Sequence, residues 1–554
     1  MERVSSTMHR RRSLASRPVT RRVMALLSVA VLALVAAASA SADALDRARP
    51  PKVFLDTKYV PPSGALIRVH AGDDLQAALD RAVAGDQVVL DAGATFTGNF
   101  VLPKKAAGGG PIVVRSSDLQ ALGENLRVGP EDAAHLARIV TPSFDGAVDT
   151  APGSHDWRFV GIEFTVAPDV AENTGVVRLG TGSETARSQL PRNIVVDRCW
   201  IHGNATQNDR RGVALNGIAE AVVDSTVSDI HEVGIDAQAI AGWNGPGPFK
   251  IVNDELDGSG ENVMFGGADP AIAKLVPSDI EIRHNHFFKP LSWRVGDPSY
   301  AGIHWTVKNL FELKNARRVL ATGNVFENSW GDAQTGFAVL LKSANQEGTA
   351  PWSVTQDVTF TDNLVLHAAS AMAIEGRDPG GAVSYTRRIT VADNLFDDID
   401  GKTWKGSGDF LQITDGSRAP DGSKNGPGSV TVDHNTVFQT RNVISAEGVS
   451  KGFVYTNNIT PHNRYGVHGS GLGTGLSTLS VDFPGAVFQR NVLIHAKCSD
   501  YPAVNYCPAT IADVGFVNYA GGNYRLSAES PYRGAGTLGS DVGADIDTIE
   551  AAVG

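Results

Sequence analysis

The chain has 554 residues, a formal net charge of −11 at pH 7 and a hydrophobic fraction of 42%. An acidic chain of this kind is a poor partner for nucleic acid or for an anionic membrane surface. It contains three cysteines, and no Cys/His spacing in it is typical of a zinc site. We therefore expect no nucleic acid and no membrane surface among its partners.

The first 42 residues are typical of an export signal. Residues 10–22 hold six arginines, residues 23–35 are apolar, and Ala40-Ser41-Ala42 fits a cleavage site. We expect a mature chain that begins near Asp43, is secreted or periplasmic, and has no membrane span. Residues 20–24 also resemble a twin-arginine export signal. Beyond the signal, 42 basic and 59 acidic residues give a net charge of −17.

The first predicted elements follow the cleavage site. Residues 43–67 are predicted to be an extended segment. Residues 74–82 carry apolar side chains at helical spacing and predict a short helix. A strand is predicted over Gln87–Leu90, after Gly85 and Asp86. Beyond it the pattern is one of short β-runs separated by Gly, Asn, Asp and Pro.

A short motif with a central asparagine recurs through the rest of the chain, at intervals of 23 to 41 residues. A constant motif with connections of variable length is typical of solenoid coils. A sandwich or a propeller is the alternative, and the uneven spacing argues against a propeller. We expect each asparagine to form a corner in the left-handed conformation and to bond to the asparagine of the next coil. These residues are Asn285, Asn324, Asn363, Asn394, Asn435, Asn458 and Asn491.

Several segments resemble the pectin-lyase-like right-handed parallel β-helix superfamily. The resemblance lies in the segment from His70 to Gly98, in the repeated asparagines, and in the ending from Asn523 to Asp545. It implies an all-β fold, a single-stranded right-handed parallel β-helix over residues 68–546. The short helix would cap the N-terminal end of its apolar core. Residues 547–554 would form a C-terminal tail.

The resemblance implies less about activity than about fold. Members of this superfamily include polysaccharide lyases, glycoside hydrolases, uronan epimerases, esterases and glycan-binding surface proteins. The Arg-x-Pro-x-x-Arg of pectate lyases and the Tyr-Gly-x-Asp-Pro-His of alginate epimerases are absent from the sequence. The fold therefore does not predict the activity, which depends on individual residues of the surface.

Five segments of the repeat can be superimposed, and they begin at Phe311, Val339, Met372, Leu411 and Ile444. Side chains alternate along a strand, so the first and third residues of each segment should face the core. The second and fourth should face outward and form two columns across the stacked coils. The columns are Glu312, Leu340, Ala373, Gln412 and Ser445, and beside them Lys314, Lys342, Glu375, Thr414 and Glu447.

The charged centre of these columns, with Arg377, is the candidate catalytic group. In a lyase that acts on a uronic-acid glycan, Lys314 or Lys342 would remove the proton α to the carboxyl group. The other lysine and Arg377 would neutralise the carboxylate. Neighbouring ammonium groups lower each other's pKa, which suits a general base. The lyase is the leading hypothesis.

Three other interpretations remain open. In an inverting glycoside hydrolase, Glu312 and Glu375 would serve as the paired carboxylates. A glycan-binding protein would use the same surface without turnover. A solvated ladder of ion pairs would have no function in binding or catalysis.

Further residues are predicted to contact the polysaccharide. The segment Ile235–Gln238 is aligned with the same face, and it contributes Asp236 and Gln238. Gln412 and Glu447 extend the two columns.

The loop over residues 289–308 is predicted to form a wall beside this face. Trp293 and Trp305 would stack on sugar rings, and His304 would be a further contact. The alternative is that the tryptophans pack the loop onto the coils.

Metal ligands and cysteines complete the sequence predictions. Glu261 and Asp269 are candidate ligands for calcium, and solvated turn carboxylates are the alternative. Cys498 and Cys507 are predicted to form a disulfide, whereas Cys199 is predicted to be a buried free thiol. We expect a monomer.

Overall fold

The computed structural model describes residues 47–378, 384–416 and 425–554. The predicted export signal over residues 1–42 lies outside the described residues, as does the start of the predicted extended segment. No helix in the described part of the chain is long and apolar enough to cross a membrane.

Three long sheets, here called A, B and C, dominate the described residues, and all of their strands pair in parallel. The chain passes through sheets A, B and C in that order in successive coils. The strands of sheet A are Leu66–Val69, Gln87–Leu90, Ile112–Ser116, His155–Val160, Arg192–Asp197, Ile218–Val223, Phe249–Val252, Ser278–Arg283, Ala316–Thr322, Thr355–Thr361, Arg387–Ala392, Gly428–Asp433, Val454–Thr456 and Val487–Gln489. Those of sheet B are Thr95–Thr97, Ala137–Thr141, Ile162–Val166, Trp200–His202, Thr226–Ile230, Glu255–Gly258, His286–Phe288, Val325–Ser329, Leu364–Ala368, Leu395–Ile399, Thr436–Gln439, Ile459–Pro461 and Val492–Ile494. Those of sheet C are Phe100–Leu102, Val148–Thr150, Val177–Leu179, Arg211–Leu215, Gln238–Gly242, Glu261–Phe265, Phe311–Leu313, Phe337–Leu341, Ser370–Arg377, Leu411–Gly416, Ile444–Glu447 and Val467–Gly469.

This architecture confirms the predicted right-handed parallel β-helix, in which each complete coil contributes one strand to each sheet. The core is one continuous stack of apolar side chains enclosed by the three sheets. Phe311 pairs with Val339, and Val339 pairs with Met372. All three side chains are fully buried. The register on which the site predictions depend is therefore correct.

The asparagine ladder is also present. The side-chain amide of Asn285 donates to Oδ1 of Asn324 at 3.0 Å, and the same bond recurs from coil to coil. The left-handed conformation, however, belongs to the residue before each asparagine, such as Asp362 at φ 55°. The expectation that the asparagine itself is left-handed is wrong. Its side chain points into the ladder, and the preceding residue makes the turn.

The ladder continues beyond the predicted asparagines at both ends. Asn491 donates to Oδ1 of Asn505 at 3.0 Å. Toward the N-terminus, Asp254 accepts from the backbone N–H of Ser225 at 2.8 Å and donates its own backbone N–H to Asn285. Asp254 therefore occupies a ladder position that asparagine fills elsewhere.

Helices and short segments close the two ends of the coil stack. Helix α1 (Leu75–Arg81) begins after Asp74, whose side chain caps it, and buries Leu75 and Leu79 against the core. Helix α2 (Leu476–Asp482) lies beside the last strands of sheet C. The last strand of the coils is Val492–Ile494, well before the predicted end at residue 546.

The residues after the coils form a separate small layer. An antiparallel hairpin pairs Phe516–Asn518 with Asn523–Leu526. Helix α3 (Ile546–Val553) occupies the predicted C-terminal tail and packs with Leu395 and Phe438. A two-stranded pair, Glu172–Asn173 with Asn208–Asp209, lies in the loops before sheet C.

Residues 48–64 lie across the outer surface of sheet A without joining it. The backbone N–H of Lys52 donates to Asp279 at 2.8 Å, and Arg158 donates to the carbonyl of Thr57 at 2.7 Å. The ring of Tyr59 lies 5.3 Å from the guanidinium of Arg158 and 5.4 Å from that of Arg198. The segment thereby ties together coils that are distant along the solenoid axis.

Candidate active site

The outward face of sheet C carries the predicted columns. Met264 pairs with Glu312, and Glu312 pairs with Leu340. Further along, Glu375 pairs with Thr414, and Thr414 pairs with Glu447. The structure therefore brings the predicted catalytic side chains together on neighbouring coils, which lie about 4.8 Å apart.

The same face has a third column that the sequence analysis missed. Most strands of sheet C begin with two consecutive residues in the core, such as Ala239 with Ile240 and Leu310 with Phe311. Because these two neighbouring residues both face the core, the residue before them faces outward. The third column runs along the edge of sheet C that follows sheet B, and it contains Arg211, Gln238, Glu261, Asn309, Phe337, Ser370, Asp409 and Asn442. The doubled small and apolar residues were visible in the sequence and could have revealed it.

Lys314 lies at the centre of the buried charge on this face. Its Nζ atom is 3.3 Å from Oε1 of Glu312, and the Lys314 side chain is 9% exposed while that of Glu312 is 0% exposed. Burial opposes the positive charge, but the carboxylates of Glu312, Glu261 and Asp236 outweigh it and raise the pKa of Lys314. The expectation that two lysines would lower each other's pKa is wrong for Lys314. It is held as a cation.

Glu261 is the buried acid of the third column. Gln238 donates to its Oε2 atom at 2.9 Å, and the residue is fully buried. Burial, with the carboxylates of Glu312 and Asp236, raises the pKa of Glu261 to about 8. Glu261 is therefore protonated at neutral pH and can donate a proton.

A buried lysine fixes the turn that precedes Glu261. The Nζ atom of Lys289 donates to the carbonyls of Gly258, Ser259 and Gly260, the last two at 3.0 Å. Burial lowers the pKa of Lys289 to about 7. Its position beneath the turn indicates that it orders the start of this strand.

The second predicted lysine lies on the next coil. Lys342 pairs with Asp378 at 2.9 Å, and its side chain is 15% exposed. Burial raises the pKa of Glu375, against the opposing charge of Lys342. Arg377 lies over the ring of Tyr385 at 5.0 Å. Lys342 and Glu375 are only partly buried and form the more open side of the candidate site, whereas Arg377 is buried.

Asp236 and Gln238 reach the face by a different alignment from the predicted one. Ile240, not Ile235 or Ala237, pairs with Val263 in the core. Ile235 is 45% exposed, so its predicted inward position is wrong. Asp236 accepts from Lys308 at 2.5 Å, and Gln238 joins the third column.

The two predicted stacking tryptophans are buried in the loop. Trp293 and Trp305 are 4% and 2% exposed and pack with Trp330 and Trp404. A sugar ring cannot stack on faces that are already covered, so the packing interpretation replaces the stacking one. His304 is exposed and bonds to Asp332 at 2.7 Å, within the loop region.

The remaining predicted contacts differ in their positions. Gln412 lies in the column of Glu312, between Ala373 and Ser445, and Glu447 is exposed at the end of its strand. Asp269 has a structural role instead of the predicted role as a metal ligand. Its carboxylate accepts from the backbone of residues 346–350 and so anchors that loop.

Calcium does not fit the two predicted ligands. Both oxygens of Asp269 are used by backbone donors, and Glu261 lies beside cationic Lys314. In residues 47–378, 384–416 and 425–554, no group of three His, Cys, Asp or Glu side chains is arranged to hold a metal ion.

The third column contains several buried polar atoms that have no partner among the described residues. Arg211 Nε, Gln238 Oε1, Glu261 Oε1 and Asn309 Oδ1 are buried and have no hydrogen-bond partner among the described residues. They belong to four successive coils. Folded proteins rarely leave such atoms unpaired, so these four atoms need a partner from outside the chain, such as water or a ligand.

The cysteines lie away from this face. Cys498 and Cys507 form a disulfide, and Cys199 is buried and free. Burial raises the pKa of the Cys199 thiol to about 12, which makes it unreactive.

Comparison with known proteins shows similarity in fold only. No protein-family model matches the chain, and no curated protein matches it. A mannuronic-acid-specific polysaccharide family 6 lyase from human gut microbiota has 12% identity and a TM-score of 0.46, over 80% of this chain and 91% of that one. The PL6 family alginate lyase AlyGC has 12% identity and a TM-score of 0.46, over 88% of this chain and 59% of that one.

Pectate lyase Pel9A has 14% identity and a TM-score of 0.34, over 87% of this chain and 96% of that one. At these values the likeness carries no activity across. The fold assignment depends on the three sheets, and the function must be argued from the site.

Proposed function

We propose that the chain is a secreted polysaccharide lyase that cleaves an acidic, uronic-acid-containing glycan by β-elimination on the outward face of sheet C. The observation that carries this proposal is the fixed charge of Lys314. Its ammonium is buried on that face and is supported by Glu312 at 3.3 Å. On a chain with a net charge of −11, a cation held in this way is suited to an anionic sugar.

In this mechanism the two lysines have different roles. Lys314 remains protonated, pairs with the sugar carboxylate and stabilises the enolate-like state as the α-proton leaves. Lys342 is the general base that takes that proton from C5. The C5–H electron pair forms the C4–C5 double bond, and the C4–O bond breaks. Glu261, protonated at neutral pH, supplies the proton that the leaving oxygen needs.

The test is incubation with a panel of polyuronates. Elimination yields unsaturated sugar ends that absorb in the ultraviolet. We expect Lys314→Met to lower kcat by about 10²–10³-fold, because it removes the charge that stabilises the transition state. Lys342→Ala should lower kcat by about 10²–10⁴-fold. Lys497→Ala is the control, because Lys497 pairs with Asp500 on the exposed surface outside sheet C.

Hydrolytic products without ultraviolet absorption would reject elimination. The raised pKa of Glu261, which lets it act as a general acid, favours a glycoside hydrolase as the second candidate. In that case Glu261→Gln and Glu312→Gln would abolish turnover, while Lys342→Ala would retain it. Binding without any turnover would reject both enzymes and leave a glycan-binding protein.

A further inference from the structure

We propose that Lys308, Gln238 and Asn309 form a second subsite for a uronate sugar next to Lys314. In the free protein, the Asp236 carboxylate takes the place on the Lys308 ammonium that the sugar carboxylate would occupy. This inference depends on the proposed function only in that the face of sheet C binds an acidic glycan. It assigns Lys308 a role in substrate selection, and it gives Asp236 the role of an internal competitor rather than a contact.

The ion pair between Lys308 and Asp236 spans the coil that lies between them. Asp236 precedes Gln238 by two residues, and Lys308 precedes Asn309 by one. Gln238 pairs with Glu261 on the intervening coil. The 2.5 Å contact from Lys308 Nζ to Asp236 Oδ2 therefore bridges past the coil of Glu261. Both charges act on the pKa of Glu261, which places the pair beside the third column.

This ion pair is accessible, unlike the residues next to it. The Lys308 side chain is 16% exposed and that of Asp236 is 31% exposed. Gln238 and Asn309 are 1% and 2% exposed. An incoming ligand would therefore meet the ion pair first and the buried amides behind it.

The amides have acceptor atoms that nothing in the described chain satisfies. Gln238 uses its Nε2 on Glu261, and Asn309 uses its Nδ2 on the carbonyl of Phe337 at 2.7 Å. Oε1 of Gln238 and Oδ1 of Asn309 remain buried without a donor among the described residues. The hydroxyl groups of a sugar are donors of the kind that these two oxygens lack.

A sugar carboxylate has the same charge and shape as the Asp236 side chain. Asp236 already holds the Lys308 ammonium at 2.5 Å, so a sugar carboxylate that approached the same face of that ammonium would be repelled by Asp236. The substrate must therefore displace Asp236. A neutral sugar offers Lys308 nothing in exchange for that ion pair, so the subsite selects uronate over neutral residues.

Two substitutions should have opposite effects on binding. Titration calorimetry with a size-defined oligouronate is done on the full chain. We expect Lys308→Met to weaken binding on the order of 10-fold or more, because it removes the cation. Asp236→Asn should tighten binding several-fold, because it removes the competing carboxylate. Asp547→Asn is the matched control, since it removes a carboxylate from the Arg525 ion pair on helix α3 and should leave binding unchanged.

Thermal unfolding of each variant is measured alongside, so that a misfolded variant is recognised and replaced by Lys308→Gln or Asp236→Ser. If Asp236→Asn weakens binding as much as Lys308→Met does, the pair is structural and the proposal is overturned. It is also overturned if neither substitution changes binding. Because binding needs no turnover, opposite effects without ultraviolet-absorbing products would support this subsite while rejecting the lyase. Ultraviolet-absorbing products, with no effect of either substitution on binding, would support the lyase and reject this subsite.

Discussion

At the scale of single residues, the charge of a side chain depends on neighbours that come from other coils. Glu312 is two residues from Lys314 in the chain, but Glu261 and Asp236 are more than fifty residues away. Their carboxylates raise the pKa of Lys314 in spite of its burial. A lysine on the surface of an isolated strand would lack these carboxylates. Because they keep Lys314 charged, it is suited to stabilise a negative charge rather than to act as a general base.

Asp254 is the residue-scale exception within the asparagine ladder. Its Oδ1 atom accepts from Ser225, but its Oδ2 atom is buried without a hydrogen-bond partner among the described residues. An asparagine at this position would donate from Nδ2, as Asn285 does to the carbonyl of Ile251 at 3.0 Å. Burial raises the pKa of the Asp254 carboxyl well above its usual range. The acid thus fits the ladder in its protonated form.

We predict that Asp254→Asn stabilises the protein, and more so at higher pH. Because the folded-state pKa is raised, the stability from this carboxyl is full below the unfolded pKa of about 4 and is lost as pH rises toward the folded value. At pH 8 the asparagine variant should gain about 1–3 kcal/mol in unfolding free energy. Denaturant unfolding of both proteins at pH 5 and pH 8 measures the difference. A gain that does not grow with pH would contradict the prediction.

At the scale of elements, the loop over residues 289–308 is held by aromatic packing. His231 stacks on Trp305 with ring centroids 3.7 Å apart, and Trp293 meets His231 edge-on at 5.4 Å. Trp330 and Trp404 complete this cluster from other loops. The loop therefore has a small apolar core of its own outside the coils. Trp293 and Trp305 are buried in this core and present no free face to a sugar.

We predict that Trp305→Ala costs about 3–5 kcal/mol of stability, because it empties a buried site. The damage should be local and should expose residues 289–308 to limited proteolysis. Thermal unfolding and mapping of the cleavage sites test this, with Trp352→Ala as the control, because Trp352 lies in another loop and bonds to the carbonyl of Leu275. Unchanged stability together with weaker glycan binding would instead restore the stacking role of Trp305.

At the scale of the whole molecule, the solenoid needs protected ends. Helix α1 covers the N-terminal end of the core, and the segment over residues 48–64 ties sheet A from outside. At the other end, Asn505 receives the last bond of the ladder and lies inside the loop closed by Cys498 and Cys507. The disulfide thereby limits fraying of the final coil.

We predict that the double substitution Cys498→Ser and Cys507→Ser lowers the unfolding free energy by about 2–3 kcal/mol, the value for a short closed loop. Hydrogen exchange should show the loss of protection beginning at the last coils. Wild-type protein in reductant should behave in the same way, and Cys199 should not contribute because it is buried and free. Equal stability with and without the disulfide would show that the ladder alone holds this end.

Much of the architecture could be predicted from the sequence because the repeat is local. The spacing of Phe311 and Leu313, repeated at Val339 and Met372, gave the correct register, since alternation along a strand fixes which side chains face the core. The repeated asparagines predicted the ladder. The αL position was misassigned by one residue because the motif does not reveal which of two neighbours makes the turn.

The sequence by itself determined the coil repeat, the inward and outward faces of the strands and the two columns that contain Glu312 and Lys314. Only the tertiary structure decided which residues join them. The doubled core residues at the start of the strands in sheet C turned Gln238, Glu261 and Asn309 outward, and burial among these neighbours set the charge of Lys314. Alternation is a property of neighbouring residues in the chain, whereas desolvation and charge interaction depend on distances between coils that no single repeat contains.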